Sequence, residues 1–243
     1  MPFIAQLCTT IADAVFPPRC VACSALPFDP RDRYLCRACA GRVPVSASGQ
    51  CIGCARATPK GATCLTCAPE WNVSALYAAT HFQHPTVRGA LHAYKYGCIE
   101  DLHQPLGRLV LRALKRISRS HNPFTDNPLI VPVPLHARRL NWRGFNQAER
   151  IAEIVAHATQ QTYAPTALTR THHTEAQVHH SRTERFLSVQ SLFSCPNPSI
   201  VKGRRVLLID DVCTTGATLD ACATTLRAAG ASSVSALVIA REM

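Results

Sequence analysis

The sequence predicts an α/β protein: a parallel sheet flanked by helices, preceded by a small cysteine-rich module. Three observations carry this expectation. Short apolar runs at 73–82, 129–136, 206–209 and 234–240 alternate with stretches of helical periodicity, the pattern of strand–helix–strand units in a buried parallel sheet. The run at 206–209 leads into two carboxylates, a Thr- and Gly-rich turn and a further helix. Four Cys-x-x-Cys pairs fall between residues 20 and 67, where hydrophobic periodicity is absent. The 243 residues have room for one large or two modest domains. They divide into an N-terminal helix (1–18), a cysteine module (19–69) and an α/β domain (73–243).

Taken in order, Ile4, Leu7, Ile11 and Val15 keep helical spacing until Pro17-Pro18 stops it. The helix lacks a basic face, so it is expected to pack on the body rather than on a membrane. The next segment holds the pairs Cys20/Cys23, Cys36/Cys39, Cys51/Cys54 and Cys64/Cys67. A segment this poor in apolar residues needs a staple. Two structural zinc ions, each held by four thiolates, supply it. Sequential pairing puts Cys20, Cys23, Cys36 and Cys39 on one ion and the other four on a second; interleaved pairing remains open. Disulfides or a redox motif are the alternatives, and an iron–sulfur cluster a lesser one.

In the α/β domain a strand over 73–82 precedes a helix, Val87 to Gly97, with Val87, Ala90, Leu91 and Tyr94 on one face. Lys95 near its end either addresses a ligand or complements the helix dipole. Residues 102–117 read as an amphipathic helix through Leu102, Leu106, Leu109, Val110, Leu114 and Ile117. LIVPVPLH (129–136) reads as a core strand running into a Pro-bearing loop; Arg138, Arg139 and Arg143 follow, and then a helix carrying Ile151, Ile154 and Val155. Arginines between a strand end and a helix start suit a phosphate. Residues 168–193 are expected to form a long mobile loop in which Arg170, Arg182 and Arg185 supply positive charge. His172, His173, His179 and His180 there are read as solvent-facing.

The chain is organised around Arg204 to Leu219. Val206 to Ile209 form a buried strand, and Asp210 and Asp211 stand at its carboxyl end, where open α/β sheets bind ligands. Thr214, Thr215, Gly216, Ala217 and Thr218 then lead into a helix through Leu219, Cys222 and Leu226 that Gly230 stops. A helix start offers free N–H groups and a positive dipole end, which suit a phosphate. Gly216 permits close approach of the backbone. Carboxylates accept hydrogen bonds from sugar hydroxyls, directly or through Mg²⁺.

Formal net charge is +11, and four of the 26 basic residues are Lys. An arginine-rich surplus suits phosphorylated ligands or nucleic acid without choosing between them. Codon bias toward Arg is the bland alternative. No signal peptide or span of ~20 apolar residues is evident, so a cytoplasmic protein with reduced thiols is expected.

The stretch IDDVCTTGATL closely resembles the phosphoribosyl pyrophosphate (PRPP) loop of type I phosphoribosyltransferases. With FPPRC and the Cys-x-x-Cys series, LHAYKYG, VPVPLHARRLNWRGFNQAERIA and the T-x-x-Q…SRTERF segment, nearly the whole chain resembles the ComF (ComFC/GntX-like) family. The resemblance implies a double zinc ribbon ahead of a type I phosphoribosyltransferase-like sheet. It implies that Asp210 and Asp211 hold the ribose hydroxyls as the catalytic pair. Thr214, Thr215, Gly216, Ala217 and Thr218 would then hold the 5′-phosphate. Leu135 to Arg139 would form the pyrophosphate loop, with Arg138, Arg139, Lys95, Arg170 and Arg185 as its basic contacts and Mg²⁺ bound with PRPP. The zinc module would take the place of the variable hood over the acceptor. Family members carry Arg near His172 and Asn near Ser188. The family is linked to handling of transforming single-stranded DNA, so competence proteins and DNA are implied partners.

The expected function is PRPP binding with transfer of ribose 5-phosphate, in competence, DNA uptake or nucleotide metabolism. A non-catalytic single-stranded DNA-binding factor and a PRPP-sensing regulator are the competing expectations. Six per cent aromatic content argues against a base-stacking mode of DNA binding, though not against backbone tracking.

Overall fold

The computed structural model of the chain describes residues 17–26, 29, 32–46, 48–119, 122–170 and 192–242. The expected N-terminal helix, Arg182, Arg185, Ser188 and the four conspicuous histidines lie outside the described residues.

Among the described residues, the cysteine module contains one short helix, α1 (Arg37–Arg42), and 3₁₀ turns at Pro59–Gly61 and Ala68–Glu70. Helix α1 buries none of its residues. The α/β part follows as β1 (Ala75–His81), α2 (Pro85–Tyr96), α3 (His103–Ile117), β2 (Leu129–Pro132), α4 (Ala137–Arg143) and α5 (Gln147–Thr159). It continues through two-residue strands β3 (Thr169–Arg170) and β4 (Phe193–Ser194) to β5 (Arg205–Cys213), α6 (Ala217–Ala228) and β6 (Ser233–Arg241).

Strands β1, β6, β5 and β2 form a four-stranded sheet in that order, and every pairing is parallel. The near-continuous apolar runs have their cause here, because both faces are covered. Period-two alternation divides each strand between two cores. Leu207 and Ile209 of β5, with Leu237 and Ile239 of β6, pack beneath α2, α3 and α5. Val206 and Leu208, with Val234, Ala236 and Val238, pack against Leu219, Cys222 and Leu226 of α6.

Strand β2 ends at Pro132, where the chain enters the Pro-bearing loop expected after it, and Val133 N–H still donates to Ile209 O at 2.9 Å. The segment expected as an arginine-bearing loop instead forms the helix α4. His136 caps it by accepting from the Arg138 N–H at 3.1 Å, and Gly144 in the left-handed region (φ 82°) ends it. Seven residues are too few to display a helical period. The polar stretch from 168 onward likewise contributes β3 and β4, which pair antiparallel and set Arg170 opposite Phe193.

The cysteine module is tied to the sheet by backbone. Ser46 N–H donates to Ala79 O and Gln50 N–H to Leu76 O, each at 2.9 Å. Buried Arg241, at the end of β6, donates through Nη1 to Cys51 O (2.7 Å) and through Nη2 to Ile52 O (2.5 Å).

Candidate functional site

Strand β5 extends four residues beyond its apolar run, so Asp210 and Asp211 lie within the strand rather than after it. They sit at the floor of a cavity of about 770 Å³. Its walls come from the carboxyl ends of the sheet strands and from α2 and α4. Asp210, Asp211, Thr214, Thr218, Lys95, Arg139 and Arg170 all face it. Arg138, Thr215, Gly216 and Ala217 are absent from its described lining, and no described residue of the cysteine module contributes to it. The expectation that the module roofs an acceptor site is therefore not met among the described residues.

The acidic pair is asymmetric. Lys95 Nζ lies 2.7 Å from Asp211 Oδ1, so the last-turn lysine of α2 neutralises one carboxylate. Asp210 Oδ1 accepts from the Asp211 N–H at 2.8 Å. Desolvation and the adjacent Asp211 charge push Asp210 up to about 7, against the opposing pull of Lys95 and Arg170. Across the cavity, burial and the neighbouring Arg139 lower Arg170 from its ordinary value. Arg170 lies 5.5 Å over the Phe193 ring, and its buried Nε has no hydrogen-bond partner among the described residues. Two guanidinium-bearing residues close enough to repel invite an anion.

The turn Thr214–Thr218 presents four exposed residues, and the fifth, Gly216, is buried. Gly216 is the N-cap of α6 with φ 82°. A Cβ there would fall 2.9 Å from Ile52 Cγ1 and 3.0 Å from the Trp71 ring. Glycine is thus required twice, by the backbone and by the cysteine module behind it. Gly216→Ala is expected to destabilise the chain by ~1–3 kcal/mol, measured by thermal unfolding.

Several cavity residues were not singled out by sequence reading. Exposed Tyr96 and Trp142 stand at the cavity with His92, whose ring centroid lies 4.9 Å from that of Tyr96. Arg143, one of the arginines the sequence did mark, is 5.9 Å over the Trp142 ring and hydrogen-bonds Gln147 Oε1, and both polar groups are buried. Trp142 is one of two tryptophans in the chain, the only sequence signal that would have flagged it.

The cysteines form two compact sets, Cys20/Cys23/Cys36/Cys39 and Cys51/Cys54/Cys64/Cys67, with the ligand atoms of each set within 4.8 Å of one another. The pairing is sequential. A tetrahedral zinc thiolate site with Zn–S of about 2.3 Å has S···S edges of about 3.8 Å. The sulfurs of Cys23 and Cys36 are 3.8 Å apart, Cys51 and Cys64 3.7 Å, and Cys54 and Cys64 3.9 Å. Backbone N–H groups of Cys36 and Cys64 point at Cys20 Sγ and Cys51 Sγ, each at 3.4 Å. Both sets fit zinc, which would crosslink a segment that has little core of its own.

Two family models match the chain. A double zinc ribbon domain matches residues 11–68, and a phosphoribosyl transferase domain matches residues 112–243. The fold and site therefore define a phosphoribosyl transferase domain carried behind a double zinc ribbon. The chain belongs to the phosphoribosyl transferase domain family, and its relatives are named for competence and DNA utilization. It is 29% identical to the DNA utilization protein YhgH of Salmonella typhi, across 86% of this chain and 97% of that one. It is 25% identical to Competence protein F of Haemophilus influenzae over the same shares, 86% and 97%. Competence protein ComFC of Bacillus subtilis is 38% identical over 47% of this chain and 45% of that protein. A solved allosteric regulatory enzyme of purine biosynthesis superposes with a TM-score of 0.37 at 22% identity, covering 55% of this chain and 24% of that one. No described helix is long and apolar enough to cross a membrane.

Proposed function

We propose that the cavity binds PRPP with Mg²⁺, and that the chain transfers its ribose 5-phosphate unit to a nucleophile in DNA handling or nucleotide metabolism. The observation that carries this reading is the polarity of one cavity. Asp210, Asp211, Thr214 and Thr218 occupy its strand end, and Arg139 and Arg170 line it with them. A pentose bearing a phosphate on one side and pyrophosphate on the other has the complementary order. Asp210 and Asp211 accept hydrogen bonds from the ribose 2′- and 3′-hydroxyls. The hydroxyls of Thr214, Thr215 and Thr218, with the free N–H groups starting α6, hold the 5′-phosphate. Arg139 and Arg170 hold the pyrophosphate, aided by Lys95 through Asp211; Arg138 and Arg185 are further candidates. Mg²⁺, arriving with the substrate, offsets phosphate charge.

In the transfer, the bond from C1′ to the pyrophosphate oxygen breaks and its electron pair leaves with pyrophosphate. The acceptor's lone pair forms the new bond to C1′, and its proton passes to water. The protein contributes position and fixed charge. Calorimetric titration of the zinc-loaded chain with PRPP and Mg²⁺ tests the binding step. Saturable one-site binding is expected, and none at millimolar PRPP overturns the reading.

A second reading is favoured by Tyr96 and Trp142, which are 60% and 59% exposed at the same cavity. Here single-stranded DNA lays a base on these rings while Arg88 and Arg139 meet its phosphates, consistent with the relatives' names. The low aromatic content matters less than its placement. Binding to an oligothymidine should then fall with salt at a slope of roughly −0.7 per neutralised phosphate and weaken in a Tyr96→Ala/Trp142→Ala variant. Salt-independent or absent binding removes it. A non-catalytic PRPP sensor would bind PRPP without releasing pyrophosphate.

A further inference from the structure

We propose that the second four-cysteine site is energetically coupled to the phosphate turn, with Ile52, Trp71 and Arg241 as the positioning residues that connect them. The inference names PRPP as the turn's ligand and in that respect rests on the function proposed above. The coupling itself rests on packing.

Three contacts bracket the turn. Before it, Cys213 pairs in register with Arg241, and Glu242 N–H donates to Cys213 O at 2.9 Å. Arg241 in turn grips the carbonyls of Cys51 and Ile52, inside the first knuckle of the second site. Within the turn, the missing side chain of Gly216 is replaced by Ile52 and the Trp71 ring. After it, the Asn72 N–H donates to Asp220 Oδ1 at 2.6 Å, and Asn72 Nδ2 lies 2.9 Å from Thr224 Oγ1, so the segment leaving the module is tied to the first turns of α6. Trp71 also stands beside the second cysteine set. A Cβ on Gly53 would lie 2.8 Å from both Cys67 Sγ and Trp71 Nε1. The same indole therefore touches the zinc knuckle on one side and the phosphate turn on the other.

The first site makes none of these contacts among the described residues. Its segment is held by Arg112, which donates to Ala40 O at 3.1 Å and to Val43 O, and by the ion pair of Arg108 with Asp32. Both arginines belong to α3, on the sheet face away from α6. The two zinc sites thus have different duties. One fixes the module to α3, and the other forms the wall behind the turn. A four-thiolate knuckle loses its fold without metal. Ile52 and Trp71 would then leave Gly216, and the left-handed turn would lose the packing that selects it. Coupling is reciprocal, so a ligand that needs the ordered turn must retain metal in the second site.

The test uses the full zinc-loaded chain. Zinc release to a chromogenic chelator is followed with and without PRPP and Mg²⁺, and PRPP is expected to slow one of two phases at least fivefold. Trp71→Ala is expected to keep two zinc ions and lose PRPP affinity at least tenfold, with faster amide exchange across 213–220. Leu65→Ser, at a 93% exposed position in the same knuckle, is expected to match the wild type. Cys64→Ser is expected to lose one zinc and show the same faster exchange. Unchanged exchange across 213–220 in both Trp71→Ala and Cys64→Ser overturns the coupling, as does equal slowing of both zinc phases. The exchange measurement needs no ligand. Should PRPP not bind the wild type at all, the functional reading fails while the exchange comparison still decides the coupling.

Discussion

Replacing Asp210 and Asp211 together with Asn is expected to weaken PRPP binding at least about 100-fold, and replacing Asp210 alone to raise thermal stability at pH 8. The affinity loss follows from charge. On the proposed reading each carboxylate accepts from a ribose hydroxyl, and charge-assisted bonds are worth ~1.5–3 kcal/mol each, so two together exceed the ~2.7 kcal/mol that a 100-fold loss requires. The stability gain follows from Asp210 alone, whose carboxyl is pushed by desolvation from an ordinary 3.8 up to about 7. A raised carboxyl pKa means the fold prefers the neutral form. Its stabilising contribution is therefore complete below the ordinary value, declines as pH rises from about 4 to about 7, and is gone above. Asn is neutral throughout and keeps an oxygen for the Asp211 N–H. The single Asp210→Asn variant should gain on the order of 1–2 kcal/mol at pH 8 and little at pH 4, screening by cavity water having reduced the full effect. Urea titrations at the two pH values check this. A variant that is less stable at pH 8 would show that the carboxylate is satisfied by groups other than those described, and a variant that still binds PRPP tightly would remove the ribose assignment.

How much of this site was legible in the sequence depended on range. The apolar run at 206–209, the face of α3 through Leu102 to Ile117 and the helix after Gly216 are local patterns, and each appears within a few residues of its expected place. The cysteine spacing implied two metal sites but left the pairing open, since a knuckle does not reveal its mate. Helix α4 was read as loop because its signals are a His136 cap and a left-handed Gly144, not a period. Gly216 was read as room for a ligand, and the chain shows a second need on its other side, where Ile52 and Trp71 arrive from more than 140 residues away. Tyr96 and Trp142 look like scattered aromatics until α2 and α4 bring them to one cavity. Contacts of this kind have no local signature.

Arg241→Met is expected to cost ~3–5 kcal/mol of stability and to speed zinc loss from the second site. Met keeps much of the stem's volume, so the change isolates the guanidinium. Arg241 is 3% exposed, and its two terminal nitrogens serve the carbonyls of Cys51 and Ile52, themselves fully buried residues. Met removes two charge-assisted hydrogen bonds, at ~1.5–3 kcal/mol each; Cys51 O keeps the Ala55 N–H at 3.0 Å, and Ile52 O is left without a described donor. The alternative view treats Arg241 as an ordinary buried cation whose replacement by an apolar side chain relieves desolvation, as happens for some buried ion pairs. That relief applies when the partner is removed too, and here the partners are backbone carbonyls that no substitution deletes. Arg241→Lys separates the two views, because one ammonium cannot reproduce a planar fork across two successive carbonyls. It should recover part of the stability and little of the zinc retention. A Met variant within 1 kcal/mol of the wild type, with unaltered zinc release, would mean that the knuckle stands without the sheet. Marginal chain stability of ~5–15 kcal/mol makes the contrast easy to read.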